Sequence, residues 1–417
     1  MYSLLGILAF YFRYGKPKFF DVSYVEEYQI SRIKRLLKGS NHPQASHLAG
    51  FHGKAFFQEY YRTIPILSKA EVKRNPNKFI CRQPQKYDLE FFTSGSSGTP
   101  MKAYVSWRHW IVEQASVYRH WTWHGYRFRD RCGMIRSFSP KENEPLIKYS
   151  WVLNTFYYSP FHLDDENLEK YYRHMLAKKV KYLRGYPSSI KIFAEFCQRK
   201  RYRIPQLKFI LTASEVLSDQ DRRFIEDVFQ VKIGNHYGLA EQIVMFGNCK
   251  KSNILHNYNE YGHCELIPTD NKNIYRIIGT NLHNDLMPLF RYDTGDLALV
   301  THNEQCACGR GGLQISAVIG RSDALIEDSK GTKLPSVNFY TMMQRHTNVQ
   351  EWQISITKND KLTLLYTGKR FDASSLELLL VELKNRLVNT VFQAQIKHAQ
   401  TLHKIAEGKT PKVIYED

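Results

Sequence analysis

The sequence predicts a large α/β domain of mostly parallel sheet layers with helices, followed by a small α+β domain, and three stretches carry that expectation. Pro187-Ser188-Ser189 opens a helix whose Ile190, Phe193, Ala194 and Cys197 recur at helical spacing, so one face is apolar and must be buried. Two strand-length apolar runs, Lys208–Thr212 and Val231–His236, flank a second helix that Ser218 can cap and that turns Phe224, Val228 and Phe229 inward. Strand, helix and strand in that order make a crossover, the connection that parallel sheets require. Past Gly320-Arg321 the texture changes. Gln353–Thr357 and Lys361–Tyr366 form paired strands about Asn359-Asp360, Leu376–Leu387 is a periodic helix, and Val391–Lys397 is another strand. The expected domains are therefore 1–320 and 321–417.

Upstream, residues 22–80 show helices broken by loops. Tyr24–Leu37 is amphipathic, and Gly39, Asn41 and Pro43 punctuate its end. From about residue 90 to 320, strand and helix signals alternate. Aromatic residues make up 14% of the 417 residues, which favours large cores and deep apolar pockets without choosing between them. Trp151, Phe156 and Tyr157 are candidates for an aromatic acid pocket, with core packing the plainer role.

Lys and Arg number 59 against 40 Asp and Glu, a net charge of +19 that suits nucleic acid, an anionic membrane surface or polyanionic small molecules such as nucleotides. No RNP-type, KH, zinc-finger or helix-turn-helix signature supports nucleic-acid recognition. The denser basic stretches, Lys178–Arg184 and Arg199–Arg203, each adjoin a helix pattern and are expected to be solvated faces. No run reaches the roughly 18 apolar residues of a membrane span. Met1–Phe12 is apolar, lacks the flanks of a signal peptide, and precedes Arg13, Lys16 and Lys18. It is either a helix packed on its own domain or an interfacial helix giving peripheral membrane contact. Seven irregularly spaced cysteines do not make a secreted disulfide framework, so a cytoplasmic protein is expected, membrane association on the cytoplasmic face remaining open.

The densest chemical signal is Thr93-Ser94-Gly95-Ser96-Ser97-Gly98-Thr99-Pro100 with Lys102 close behind. Glycines and hydroxyls crowded in a short loop offer backbone N–H groups and O–H groups to phosphate oxygens. It is not a Walker A loop, because no Gly-Lys-Ser/Thr follows at the required spacing. Four further stretches follow in order: Tyr237-Gly238-Leu239-Ala240-Glu241, Arg291-Tyr292-Asp293-Thr294-Gly295-Asp296, Gly320-Arg321-Ser322-Asp323 and Gly408-Lys409.

These five stretches together resemble the adenylate-forming superfamily of acyl-CoA synthetases, peptide-synthetase adenylation domains and luciferases. Gly185-Tyr186-Pro187-Ser188 and Cys306-Ala307-Cys308-Gly309-Arg310 are similar to the phenylacetate–CoA ligase group within it. Arg321–Gly331 looks closer to the branch found with capsular-polysaccharide synthesis proteins. The resemblance implies an ATP-dependent ligase that makes an acyl-adenylate from a carboxylic acid. Thr93, Ser94, Gly95, Ser96, Ser97, Gly98 and Thr99 would hold the β- and γ-phosphates, and Glu241 would bind Mg²⁺. Ala213-Ser214-Glu215 would edge the base, Tyr237 and Gly238 would lie along adenine, and Asp296 would accept hydrogen bonds from the ribose hydroxyls. Arg321 would reach the ribose or phosphate side, and residues 320–323 would be an inter-domain hinge. Lys409 would be the catalytic lysine, with Lys412 a near competitor.

Cys249, His256, Cys306 and Cys308 could form a closed thiolate–imidazole zinc site, structural rather than catalytic, with His263 and Cys264 as alternative ligands. Unrelated small apolar cysteines are the plainer reading, and similar cysteines in the resembling group favour zinc.

Two departures stand out. Ala240 replaces the threonine of the family's Tyr-Gly-x-Thr-Glu stretch, a loss that Ser214 could compensate. Glu327-Asp328-Ser329-Lys330-Gly331 is polar where coenzyme A ligases of the group carry an apolar run and Arg-Gly along the pantetheine path. The acceptor is thus expected to be coenzyme A, or an amine or hydroxyl on a sugar; a non-catalytic nucleotide-binding scaffold is the third reading. Composition leaves the acid and the oligomeric state open.

Overall fold

The computed structural model describes residues 22–416 except 93–100, 137, 139, 141–143, 161, 216, 218, 270–272, 301–305, 322–324, 331, 336–338, 340–341, 344–345, 347, 388–389 and 404–412. The expected phosphate loop, Ser218, Ser322, Asp323, Gly408, Lys409, Lys412 and the apolar start all lie outside the described residues.

The parallel sheet is present where crossovers were expected. β5 (Thr155–Tyr158), β3 (Cys132–Ile135), β6 (Tyr182–Gly185), β7 (Phe209–Ala213) and β8 (Ile233–Gly238) run parallel in that spatial order. Helices α6 (Asp165–Ala177), α7 (Pro187–Lys200) and α8 (Asp219–Phe229) cover one face. Ile190, Phe193 and Cys197 of α7 pack there with Leu183, Ile210 and Ile233, as the helical spacing requires. The other face is covered by α5 (Trp107–Trp123), whose Tyr118 and Trp121 meet Tyr182, Phe209 and Leu211.

The alternation of strand and helix ends at β8, earlier than the sequence suggests. β9 (Met245–Cys249) and β10 (Ser252–Asn257) turn back as a hairpin with only two residues between them, and β14 (Gln314–Ile315) joins β10 antiparallel. A connection that short cannot hold a crossover helix. β11 (Gly262–Pro268), β12 (Ile274–Asn281), β13 (Tyr292–Leu299) and β15 (Ala317–Arg321) form a separate, wholly antiparallel sheet. The two sheets meet closely at the segment after Glu241. A Cβ at Gly262 would run into the Ile243 carbonyl oxygen, and one at Gly279 into the Ile243 and Val244 side chains. Glycine at these positions lets Ile243 seat, and Ile243 fixes the backbone two residues past Glu241.

Helices α1 (Val22–Gly39), α2 (Ala45–Ala49) and α3 (Gly53–Thr63) bury Ile33, Leu37, Phe56 and Tyr60 against Leu282 and Phe290 beside this second sheet. After it, the short strand pair β16 (Leu325–Glu327) and β17 (Lys333–Pro335) leads into the small α+β domain. There β18 (Val349–Thr357) and β19 (Lys361–Gly368) are the expected hairpin, with β20 (Gln393–His398) and β21 (Val413–Glu416) parallel on its edges. Leu379 and Leu383 of α9 (Ala373–Arg386) close its core over Trp352, Ile354 and Leu364.

One buried acid is not offset by a cation. Burial pushes the Glu113 carboxyl on α5 up to about 7, against a smaller opposing influence of the nearby Tyr261 hydroxyl. The folded value lies above the unfolded one, so the protonated form suits the fold and stability is lost as pH rises from about 4.5 to about 7. Glu113→Gln should therefore raise the unfolding midpoint at about pH 8 and leave it near wild type at about pH 4. Equal changes at both values would contradict this.

Candidate functional site

Strand ends from the two sheets converge. Tyr237 lies near the C-terminal end of β8, and Asp296 lies in β13. Tyr237 Oη donates to Asp296 Oδ2 at 2.6 Å. Burial and then the Asp296 carboxylate push the Tyr237 hydroxyl well up, so it stays protonated as a donor. Beside Gly238 the space is open, with nothing among the described residues within 4 Å of where a Cβ would stand. A flat group can approach the backbone here.

Glu241, in the connection from β8 to β9, is buried. Its Oε1 accepts from Tyr292 Oη of β13 at 3.0 Å and from Lys69 Nζ at 3.2 Å. Lys69 opens α4 (Lys69–Arg74), which Ser68 and Glu71 hold in a reciprocal capping box. β13 thus carries Asp296 itself and, in Tyr292, a partner for Glu241. Arg321 ends β15 directly across from Asp296 in the strand register. The residues flanking the Ser/Gly stretch are paired strands, β1 (Leu89–Phe92) and β2 (Lys102–Val105), with Phe92 opposite Lys102. Ala213 ends β7, and Ser214 follows in a left-handed conformation at φ 73°.

A second cluster gathers four ligand atoms within 4.8 Å of one another: the Cys249, Cys306 and Cys308 thiols and His256. Cys249 and Cys306 Sγ are 3.4 Å apart, and Cys308 Sγ is 3.5 Å from His256 Nε2. Three sulfurs and one imidazole at tetrahedral-edge separations fit zinc. The alternatives are elsewhere: His263 spends both ring nitrogens on Gln29 and Tyr61, and Cys264 bonds the Glu265 carbonyl.

No protein-family model matches the chain. Protein CapK of Staphylococcus aureus is 23% identical over 304 residues, covering 70% of this chain and 66% of CapK, slightly under two thirds of its length. Phenylacetate-coenzyme A ligase of Thermus thermophilus is 28% identical over 140 residues, 31% of each chain. Among solved structures, 2-hydroxyisobutyryl-CoA ligase in the postadenylation state with 2-HIB-AMP superimposes with TM-score 0.62 at 17% identity, covering 93% of this chain and 89% of the other. The same ligase in the thioesterification state gives 0.59, covering 95% and 90%. The chain has the adenylate-forming fold.

Within the adenylate-forming fold, several side chains stand in places the sequence did not announce. Arg184, counted with a solvated basic stretch, is half-buried on β6 with its guanidinium 3.7 Å above the Trp121 ring. Arg136, one residue past β3, donates to Ser214 Oγ at 3.2 Å, so the hydroxyl proposed to replace that of the missing threonine is already engaged. Arg291 is structural. Its guanidinium bonds both Glu265 carboxylate oxygens at 2.8–3.1 Å and the Tyr61 and Ile64 carbonyls at 2.7 and 2.6 Å. Of the aromatic trio, Phe156 is in the core, Trp151 is exposed, and Tyr157 is half-buried. Asp328 accepts backbone N–H groups of Lys330, Thr332 and Val391, so one of the acidic residues of the 327–331 run builds a turn. Among the described residues no helix is long and apolar enough to cross a membrane.

Proposed function

We propose that this chain uses ATP to convert a carboxylic acid into an acyl-adenylate and transfers the acyl group to a second acceptor. The observation that carries the reading is the 2.6 Å bond between Tyr237 and Asp296, with the Glu241–Tyr292 bond beside it. Residues 59 positions apart on two sheets meet where a nucleotide could lie against the open side of Gly238. Asp296 would accept the ribose hydroxyls, Tyr237 and Gly238 would lie along adenine, and Ala213, Ser214 and Glu215 would edge it. Glu241 would hold Mg²⁺, which neutralises charge on the leaving pyrophosphate. Thr93–Thr99 would take the β- and γ-phosphates, Arg321 the ribose or phosphate side, and Lys409 the transferring oxygens. Use of ATP and coenzyme A belongs to the cytoplasm.

Coenzyme A is the first acceptor reading, in line with the ligase that shares the fold. The polar run Glu327–Lys330 favours the second, an amide or ester formed on a sugar amine or hydroxyl, as a branch associated with surface polysaccharide would need. Acid-dependent exchange of pyrophosphate into ATP across a carboxylate panel tests activation. No exchange with any acid would sink the proposal, and coenzyme A consumption separates the two acceptors.

Domains 1–320 and 321–417 would meet over the nucleotide and pivot about residues 320–323. A non-reactive adenylate analogue at saturation should change proteolytic cutting near that stretch. Identical digestion patterns would argue against a moving C-terminal domain.

One zinc ion at Cys249, His256, Cys306 and Cys308 would tie the β9–β10 hairpin to the segment ahead of β15. Elemental analysis of gently purified protein should give one zinc per chain, lost in Cys308→Ser along with thermal stability. Metal-free protein of unchanged stability would remove the site.

A further inference from the structure

The parallel strands end together, and their register places basic residues on one face. Met134, Arg184, Leu211 and Gly234 are register partners across β3, β6, β7 and β8. Two residues on, the same face carries Arg136, Tyr186, Ala213 and His236. It is the face covered by α5, and both guanidiniums lie over rings: Arg184 on Trp121 at 3.7 Å, Arg136 on Tyr186 at 5.2 Å. Tyr157 joins from β5, opposite Met134.

Arg184 is close enough to disfavour the charge on Arg136. Burial first, and then Arg184, lower the Arg136 guanidinium, which Tyr186 and Glu215 support. Burial and the two arginines hold His236 down at about 3, a neutral imidazole. Glu215 is the one carboxylate among those influences on Arg136, and no carboxylate pairs with Arg184 among the described residues. A half-buried guanidinium at Arg184 with a second one beside it makes a positive site that an anionic ligand would complete.

Its position separates it from the triphosphate. Glu241 leaves β8 toward β9, whereas Arg184 and Arg136 stand two and three strands away on the opposite side. At about 4.8 Å per strand that is roughly 10–14 Å from the β8 end. The cluster therefore reaches Ser214 and His236 from the side away from Glu241. A neutral hydroxyl would not offset the charge, while the planar fork of an arginine matches a carboxylate or phosphate.

We propose that Arg184 and Arg136 form the far end of the acyl site, and that the acid activated carries a second anionic group held by these two guanidiniums. This rests on the adenylation reading. The test is ATP–pyrophosphate exchange with succinate and glutarate, their monomethyl esters, and 3-phosphoglycerate, which separates carboxylate from phosphate. A dianionic acid should exceed its monoester by about ten- to a hundredfold in kcat/KM, the effect of a charged hydrogen-bonded pair. Arg184→Met should remove that preference through the KM of the acid, leave the KM of ATP within about twofold, and spare the monoester; Arg184→Lys should keep part of it. Equal use of monoester and diacid by wild type, or a change confined to the KM of ATP, would overturn the inference alone. If no acid supports exchange, the adenylation reading fails and binding decides. The same anions should then raise the unfolding temperature of wild type with AMP present and not that of Arg184→Met; no shift in wild type overturns the site as well.

Discussion

Lys409→Ala is expected to bind ATP nearly as wild type does and to form acyl-adenylate roughly a hundred- to a thousandfold more slowly, about 2.7–4 kcal/mol of lost transition-state stabilisation. On the proposed role of Lys409, a single ammonium near the oxygens between acyl carboxylate and α-phosphate would meet charge that develops mainly as the bond forms. It would therefore act on rate more than on affinity. If transfer is a separate step, the variant should still consume acyl-adenylate supplied chemically. Lys412→Ala is the matched control, removing the same charge three residues away. Pre-steady-state adenylate formation measures both, and equal losses in the two variants would show that bulk charge, rather than Lys409, is responsible.

The largest effect on stability should come from Arg291. The guanidinium and Glu265 are both buried, and the remaining N–H groups close on the carbonyls of Tyr61 and Ile64 at the end of α3. Arg291→Met removes one partner and leaves a buried carboxylate and two carbonyls unpaired, a cost of about 3–5 kcal/mol. By contrast Arg62, which bonds Glu59 on the exposed side of the same helix, should lose little on the same substitution. Urea unfolding of the two variants reads the difference directly. An Arg291→Met protein as stable as wild type would mean that the network adds nothing once its desolvation is counted. Arg291 immediately precedes Tyr292 and stands five residues before Asp296. Partial loss of ATP use in Arg291→Met, restored by lower temperature, would mark a positioning role for this buried pair.

Local pattern made several elements legible. The spacing of Ile190, Phe193 and Cys197 identified α7 because one buried face is enough to define a helix, and Asn359-Asp360 marked the β18–β19 turn, where Asp360 sits at φ 56°. The antiparallel sheet was harder to see. β11 reads Gly-His-Cys-Glu-Leu-Ile-Pro, and its buried Glu265 and His263 are satisfied by partners on other elements, so no alternation of apolar and polar residues survives. The zinc candidates were readable as two local pairs; only the fold brings Cys249 to Cys306. Arg184 and Lys69 gave no signal. In a chain rich in basic residues an arginine in a strand or a lysine opening a helix carries no mark, and Lys69 meets Glu241 across 172 residues.

That ion pair bears on the order in which ligands arrive. With Lys69 already against its carboxylate, Glu241 exerts little pull on a free divalent cation. On the proposed role of Glu241, Mg²⁺ comes in with its nucleotide, whose phosphates supply both the missing ligands and a new counter-ion for the displaced ammonium. Cation and nucleotide would then enter and leave as one unit, and position 69 would set how readily the empty site collects metal alone.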